Sequence, residues 1–129
     1  MPKAGQKFIV ELKRPHLGWG TYRYTNTREP IIGEGYIKIP RRFAIDFEIF
    51  NSNHPTANPL YHCQALNGDF SGILLAQGCN VAGDPYAKQF AEANNLKGLG
   101  NWYMSVGAQE GGCIEVIFTS PNSLTIRYF

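Results

Sequence analysis

The sequence predicts a mainly β domain with two short helices, arranged as a seven-stranded open barrel. Three observations predict it. Short apolar runs, several of them alternating with period two, recur between clusters of turn residues. An Asn-Gly pair separates two of those runs, a strong short-range signal for a β-hairpin. The helical stretches do not alternate regularly with strands, which argues against a parallel βαβ sheet and for a mostly antiparallel barrel with helices plugging its ends. A chain of 129 residues that is 43% hydrophobic and 13% aromatic can bury a real core, so one domain over residues 1–129 is expected.

Residues 7–13, KFIVELK, alternate Phe8, Val10 and Leu12 with Lys7, Glu11 and Lys13, with Ile9 as the exception, and form a first strand. A second strand is expected over residues 36–39, approached through Gly33-Glu34-Gly35. From Pro40 the period changes: Phe43, Phe47 and Phe50 recur at spacings of four and three, so residues 41–50 read as a short amphipathic helix with those phenylalanines in the core. Residues 51–59, NSNHPTANP, are turn-rich. Strands at 60–66 and 70–75 flank Asn67-Gly68-Asp69. Residues 77–83 are a polar loop ending at Asp84-Pro85, an N-cap followed by proline, which predicts a second helix over 86–93 with Tyr86, Phe90 and Ala93 on one side. Residues 102–106 are expected as a short strand, and strands at 113–118 and 124–128 end the chain as a hairpin around Pro121-Asn122-Ser123.

The stretch between the first two strands has a different character. Within residues 17–42, Trp19, Tyr22 and Tyr24 stand among Arg23 and Arg28 with no clean period of two or 3.6. A small domain keeps such a loop chiefly when it binds something. Residues 1–42 hold nine Lys or Arg against three Glu, a local charge of +6, whereas the remainder carries three basic against seven acidic residues, or −4. A dipolar distribution of this kind suits a polyanion that meets one face of the fold.

Catalysis is not expected. Glu11-x-Lys13 is half of a metal-dependent nuclease pattern, but residues 1–10 contain no carboxylate to complete it, so both read as strand residues facing solvent. His54, His62, Cys63, Cys79 and Cys113 show no metal-ligand spacing, and the odd, widely spaced cysteines read as reduced thiols. Ser71 and Ser105 lack a nucleophile-elbow context, and the glycines of 107–112 lack a phosphate-binding lysine. No catalytic residue, metal or cofactor is therefore expected. Neither a signal peptide nor an 18-residue apolar span is evident, so a cytoplasmic location without membrane contact is expected.

What the composition offers is recognition. Arg23, Asn26, Arg28, Arg41, Arg42, Gln77, Asn80, Lys88 and Gln89 are of the types that pair with phosphates, guanine or adenine in a major groove, and equally of the types that solvate a surface. Trp19, Tyr22 and Tyr24 join them as aromatic candidates, Trp19 and Tyr36 also fitting a packing role at the loop base.

Leu17-Gly18-Trp19-Gly20, Arg23, Arg28-Glu29-Pro30 and the segment Gly35-Tyr36-Ile37-Lys38-Ile39-Pro40 resemble the opening of the DNA-recognition domain in phospholipase-D-type and related restriction endonucleases. Lys38-Ile39-Pro40-Arg41-Arg42-Phe43-Ala44 also resembles the strand-to-helix step of the plant B-three transcription-factor domain, which shares the DNA-binding pseudobarrel fold. The run from Gly111 to Phe118 resembles the closing strand of that fold, with Gly112 where an aspartate is expected. The resemblance implies two loops that grip the major groove, carried here onto residues 15–34 and 77–89. It implies double-stranded DNA as partner, with cleavage, where it occurs, in a separate nuclease domain or subunit. The rival reading is a small-molecule or glycan-binding β module with Trp19, Tyr22 and Tyr24 as its platform.

Overall fold

The computed structural model describes all residues except 1, 14–34, 67, 69, 80 and 94–97. Among the described residues are strands β1 (Lys7–Glu11), β2 (Ile37–Lys38), β3 (Leu60–Ala65), β4 (Ser71–Gln77), β5 (Gln89–Glu92), β6 (Cys113–Ser120) and β7 (Ser123–Tyr128), with helices α1 (Arg41–Asp46) and α2 (Gly98–Ser105). The strands form one sheet in the order β1-β6-β7-β3-β4-β5-β2. Every neighbouring pair is antiparallel except β3 with β7. The sheet curls into a nearly closed barrel, and its two edges, β1 and β2, border the remaining seam. The predicted class, mainly β with seven strands and two helices, is the observed one.

Alternation decides which way β1 faces: Phe8 and Val10 are buried, Lys7, Ile9 and Glu11 are exposed, and Leu12 and Lys13 continue the pattern beyond the strand. The Asn-Gly hairpin joins β3 to β4, with Gly68 at φ +83. The chain closes on the β6–β7 hairpin. Gly112, which stands where the family resemblance expects aspartate, lies against Tyr128: a Cβ there would come within 2.5 Å of the phenol oxygen.

The two helices are where sequence and structure part. Residues 86–93 form no helix; Tyr86 makes a single bridge to Phe50, and Gln89–Glu92 is a strand held between β4 and β2. Local helix propensity loses here to two open sheet edges whose N–H and C=O groups need partners. Asp84 accordingly closes a turn, its Oδ1 accepting from the Tyr86 N–H at 3.1 Å, and caps no helix. Of residues 102–106, expected as a strand, 102–105 instead belong to α2 and Val106 follows its end. Leu99, Trp102 and Tyr103 are buried and Val106 packs beside them, a helical i, i+3, i+4, i+7 set. The α2 glycines serve close packing. A side chain on Gly98 would collide with the Glu92 carboxylate, and Gly100 lies against Gly35, where an added Cβ would come 2.8 Å from the Gly100 nitrogen.

Helix α1 is shorter than residues 41–50. It ends in a Schellman arrangement: Glu48 adopts φ +56, its N–H reaches the Ile45 carbonyl at 3.3 Å, and the Ile49 N–H reaches the Ala44 carbonyl at 2.9 Å. That turn buries Ile49 fully. Phe43 and Phe47 pack from the barrel mouth against the core, and Phe50 is partly buried. The aromatic set is continuous: Phe8 stacks on Phe43 at 5.5 Å, Phe47 meets Phe118 edge-on at 6.3 Å, and Tyr61 lies 5.9 Å from Phe118 and 5.4 Å from Phe90. Burial pushes the Tyr61 phenol up to about 12 and raises that of Tyr103 as well.

Among the described residues, no helix is long and apolar enough to cross a membrane. Cys63, Cys79 and Cys113 are free cysteines, and burial pushes the Cys63 thiol up to about 12.

Candidate nucleic-acid interface

The connector between β4 and β5, residues 78–88, is where the resemblance puts a second recognition loop. Its shape is imposed from outside. Asn51, 3% exposed, donates its side-chain amide to the carbonyls of Gly78 at 2.8 Å, Asp84 at 2.9 Å and Tyr86 at 3.3 Å. Asn53 adds a bond to the Asp84 carbonyl at 3.0 Å. Arg41, at the first turn of α1, reaches Asp84 Oδ2 with Nη1 at 2.6 Å, its side chain 49% exposed over a carboxylate that is 4% exposed. The guanidinium also lies 5.9 Å from the centre of the Tyr86 ring. These bonds, one of them buried and the others part-buried, tie both ends of the connector.

The second feature lies at the barrel seam. Val10, Glu11 and Lys13 from the β1 side, Lys38 to Arg41 from the β2 side, and Ala87 and Lys88 from the end of the connector border one groove of about 420 Å³. Its floor is apolar and its rim carries Lys13, Lys38, Arg41 and Lys88 against Glu11. The register brings them together: the Ile39 N–H bonds the Lys88 carbonyl at 3.0 Å, extending the β2–β5 ladder, and the Lys88 N–H bonds the Gln77 carbonyl at 2.9 Å. The Lys88 stem packs over Gly78, where an added Cβ would come 3.0 Å from the Lys88 Cβ. Lys13 is the last described residue before the first predicted loop, residues 15–34, and Lys88 lies at the end of the second connector.

Of the residues singled out from sequence, Arg41 and Lys88 are at this groove. Arg42 is exposed on α1 with its guanidinium 4.5 Å from the Phe43 ring centre. Gln77 and Gln89 pair with each other across the β4–β5 ladder, half-buried, so they form the base of the loop. Trp19, Tyr22, Arg23, Tyr24, Asn26, Arg28 and Asn80 lie outside the described residues. Tyr36 is half-buried, its carbonyl accepting the Tyr103 hydroxyl at 2.8 Å, which fits the packing role. Sequence reasoning missed Lys38 and Asn51. Lys38 was legible as the outward residue between Ile37 and Ile39; Asn51 looked like one more turn asparagine. Glu11 and Lys13 are exposed, as expected. Among the described residues no group of three or more His, Cys, Asp or Glu side chains could hold a metal ion.

This barrel is similar to a solved structure. Over 100% of this chain and 94% of the other, it matches a hypothetical protein from Arabidopsis thaliana with a TM-score of 0.55 and 10% sequence identity, a likeness of fold alone. No protein-family model matches the chain, and no curated protein matches it.

Proposed function

We propose that this chain is a sequence-specific double-stranded DNA-binding module of the B-three-like pseudobarrel type, without catalysis of its own. In this reading it is the target-recognition part of a restriction-modification-type system, with a nuclease domain or subunit as partner. The observation that carries the reading is the seam groove. Three lysines, Glu11 and the ion-paired Arg41 border a slot near the ends of two long connectors, in a chain whose first 42 residues hold a local charge of +6. Lys13, Lys38 and Lys88 are suited to phosphate oxygens. Arg41 acts differently: its ion pair with Asp84 commits it to holding the second loop in shape. Base reading falls to residues 15–34 and to the tip of residues 78–88.

Titrating a labelled duplex at a series of salt concentrations tests this. Each phosphate neutralised steepens the fall of log K with log salt by about 0.9, so three lysines and the arginines of the first loop give a slope of about −4 to −6. Binding that ignores salt would point to the glycan or small-molecule reading.

A further inference from the structure

We infer that Val81, at the tip of the β4–β5 connector, reads the 5-methyl group of a pyrimidine in the major groove; this rests on the DNA-binding reading above. Val81 is 68% exposed, and the tip around it, Val81-Ala82-Gly83, carries no charge. Single exposed valines are common on surfaces, so its position is what gives it meaning. The Val81 carbonyl accepts the Asp84 N–H at 3.1 Å, and Gly83 has φ +82, so Val81 opens a tight turn that needs a glycine at its third position. The last residue of that turn, Asp84, is fixed by Arg41, Asn51 and Asn53. An exposed apolar side chain is thus held on a rigid turn, in a connector whose far end, Lys88, borders the cationic groove.

A loop that only grips phosphates gains nothing from valine at its tip, because phosphate oxygens are bound by donors and cations. The apolar feature a duplex presents in its major groove is the C5-methyl of thymine, or of cytosine once methylated, and apolar side chains are its contact. The two sources share one chemistry and differ in the base that carries it.

The test uses short duplexes recovered by the parent protein from a random pool. In one arm each thymine is replaced in turn by uracil, which removes only the methyl; in the other each cytosine is replaced by 5-methylcytosine. We expect one position at which removing the methyl weakens binding about three- to tenfold, or at which adding one strengthens it by a similar factor. Val81→Ala should lose most of that discrimination while keeping the parent's unfolding midpoint and salt slope. The first arm alone responding assigns thymine, the second alone assigns 5-methylcytosine. Salt-dependent binding that is blind to both replacements, or a V81A variant that discriminates as the parent does, overturns the role of Val81 and leaves the DNA-binding reading standing. Failure to recover any duplex removes both.

Discussion

The side-chain amide of Asn51 donates to the Gly78 carbonyl at 2.8 Å, and the same nitrogen reaches the Asp84 and Tyr86 carbonyls on the far side of the loop. One buried carboxamide therefore joins both ends of residues 78–88. Replacing Asn51 by Ala should destabilise the fold by about 2–3 kcal/mol, since carbonyls that leave water lose their donor. Asn51→Asp, nearly identical in shape, should be at least as costly because a carboxylate cannot donate to a carbonyl. Urea unfolding of both variants checks this; an Asn51→Ala midpoint equal to the parent's would mean that the loop holds its shape without the clamp.

The Arg41–Asp84 pair couples α1 to the same loop. Because Asp84 is buried and Arg41 half-exposed, removing the arginine should cost about 1–3 kcal/mol, largely from the carboxylate left behind. Arg41→Ala combined with Asp84→Asn should recover part of that loss, and a double-mutant cycle on unfolding free energies measures the coupling. Strict additivity would argue against any shared stabilisation.

Two glycines should respond to alanine for different reasons. A Cβ on Gly35 would press on the Gly100 backbone at 2.8 and 2.9 Å, where neither chain can yield without moving α2, so Gly35→Ala should cost about 2 kcal/mol or more. Gly68 has open space around it and only its φ of +83 to object, so Gly68→Ala should cost about 1 kcal/mol. Thermal melts of the two variants should rank in that order.

Alkaline pH should destabilise the barrel. Burial pushes the Cys63 thiol up to about 12, with the Glu92 charge adding to it, and burial likewise pushes the Tyr61 phenol up to about 12. Both groups stay protonated in the fold above the pH at which they ionise in the unfolded chain. Their contribution is complete below about pH 9 and falls away as pH rises toward 12, because the unfolded state then binds fewer protons than the native one. Urea midpoints measured from pH 8 to 11 should decline, and Cys63→Ala should flatten the decline. A profile that is flat over this window would contradict the burial of these groups.

Strand positions were largely legible because β1, β3 and β7 alternate buried and exposed residues, a pattern that survives any detail of packing. The helices were not. Residues 86–93 have helical composition, but β5 supplies hydrogen bonds to both β4 and β2, a demand invisible in a local window. Conversely, Gly98 and Gly100 argue locally against a helix, whereas they answer close approaches, Gly98 that of the Glu92 side chain and Gly100 that of Gly35, far away in sequence. Leu99, Trp102, Tyr103 and Val106 did carry the helical period, masked by their aromatic, strand-like composition. Polarity and turn residues mark only residues 77–83 as loop, and the family resemblance carries the second loop on to 89; the observed β4 ends at Gln77 and β5 begins at Gln89. Of the cationic rim, Arg41 and Lys88 were named from sequence and Lys13 and Lys38 were not, since residues so scattered along the chain are gathered only by the barrel seam.

The proposal that the seam grips a phosphate backbone is tested most directly by the salt dependence of duplex binding in the parent and in a Lys38→Ala, Lys88→Ala double variant. Both side chains are exposed, so the variant should unfold at the parent's midpoint. Its log K against log salt should be shallower by about 1.8, corresponding to two lost phosphate contacts, with binding weakened alike for all sequences. An unchanged slope in a variant that still binds would show that the duplex lies elsewhere on the barrel.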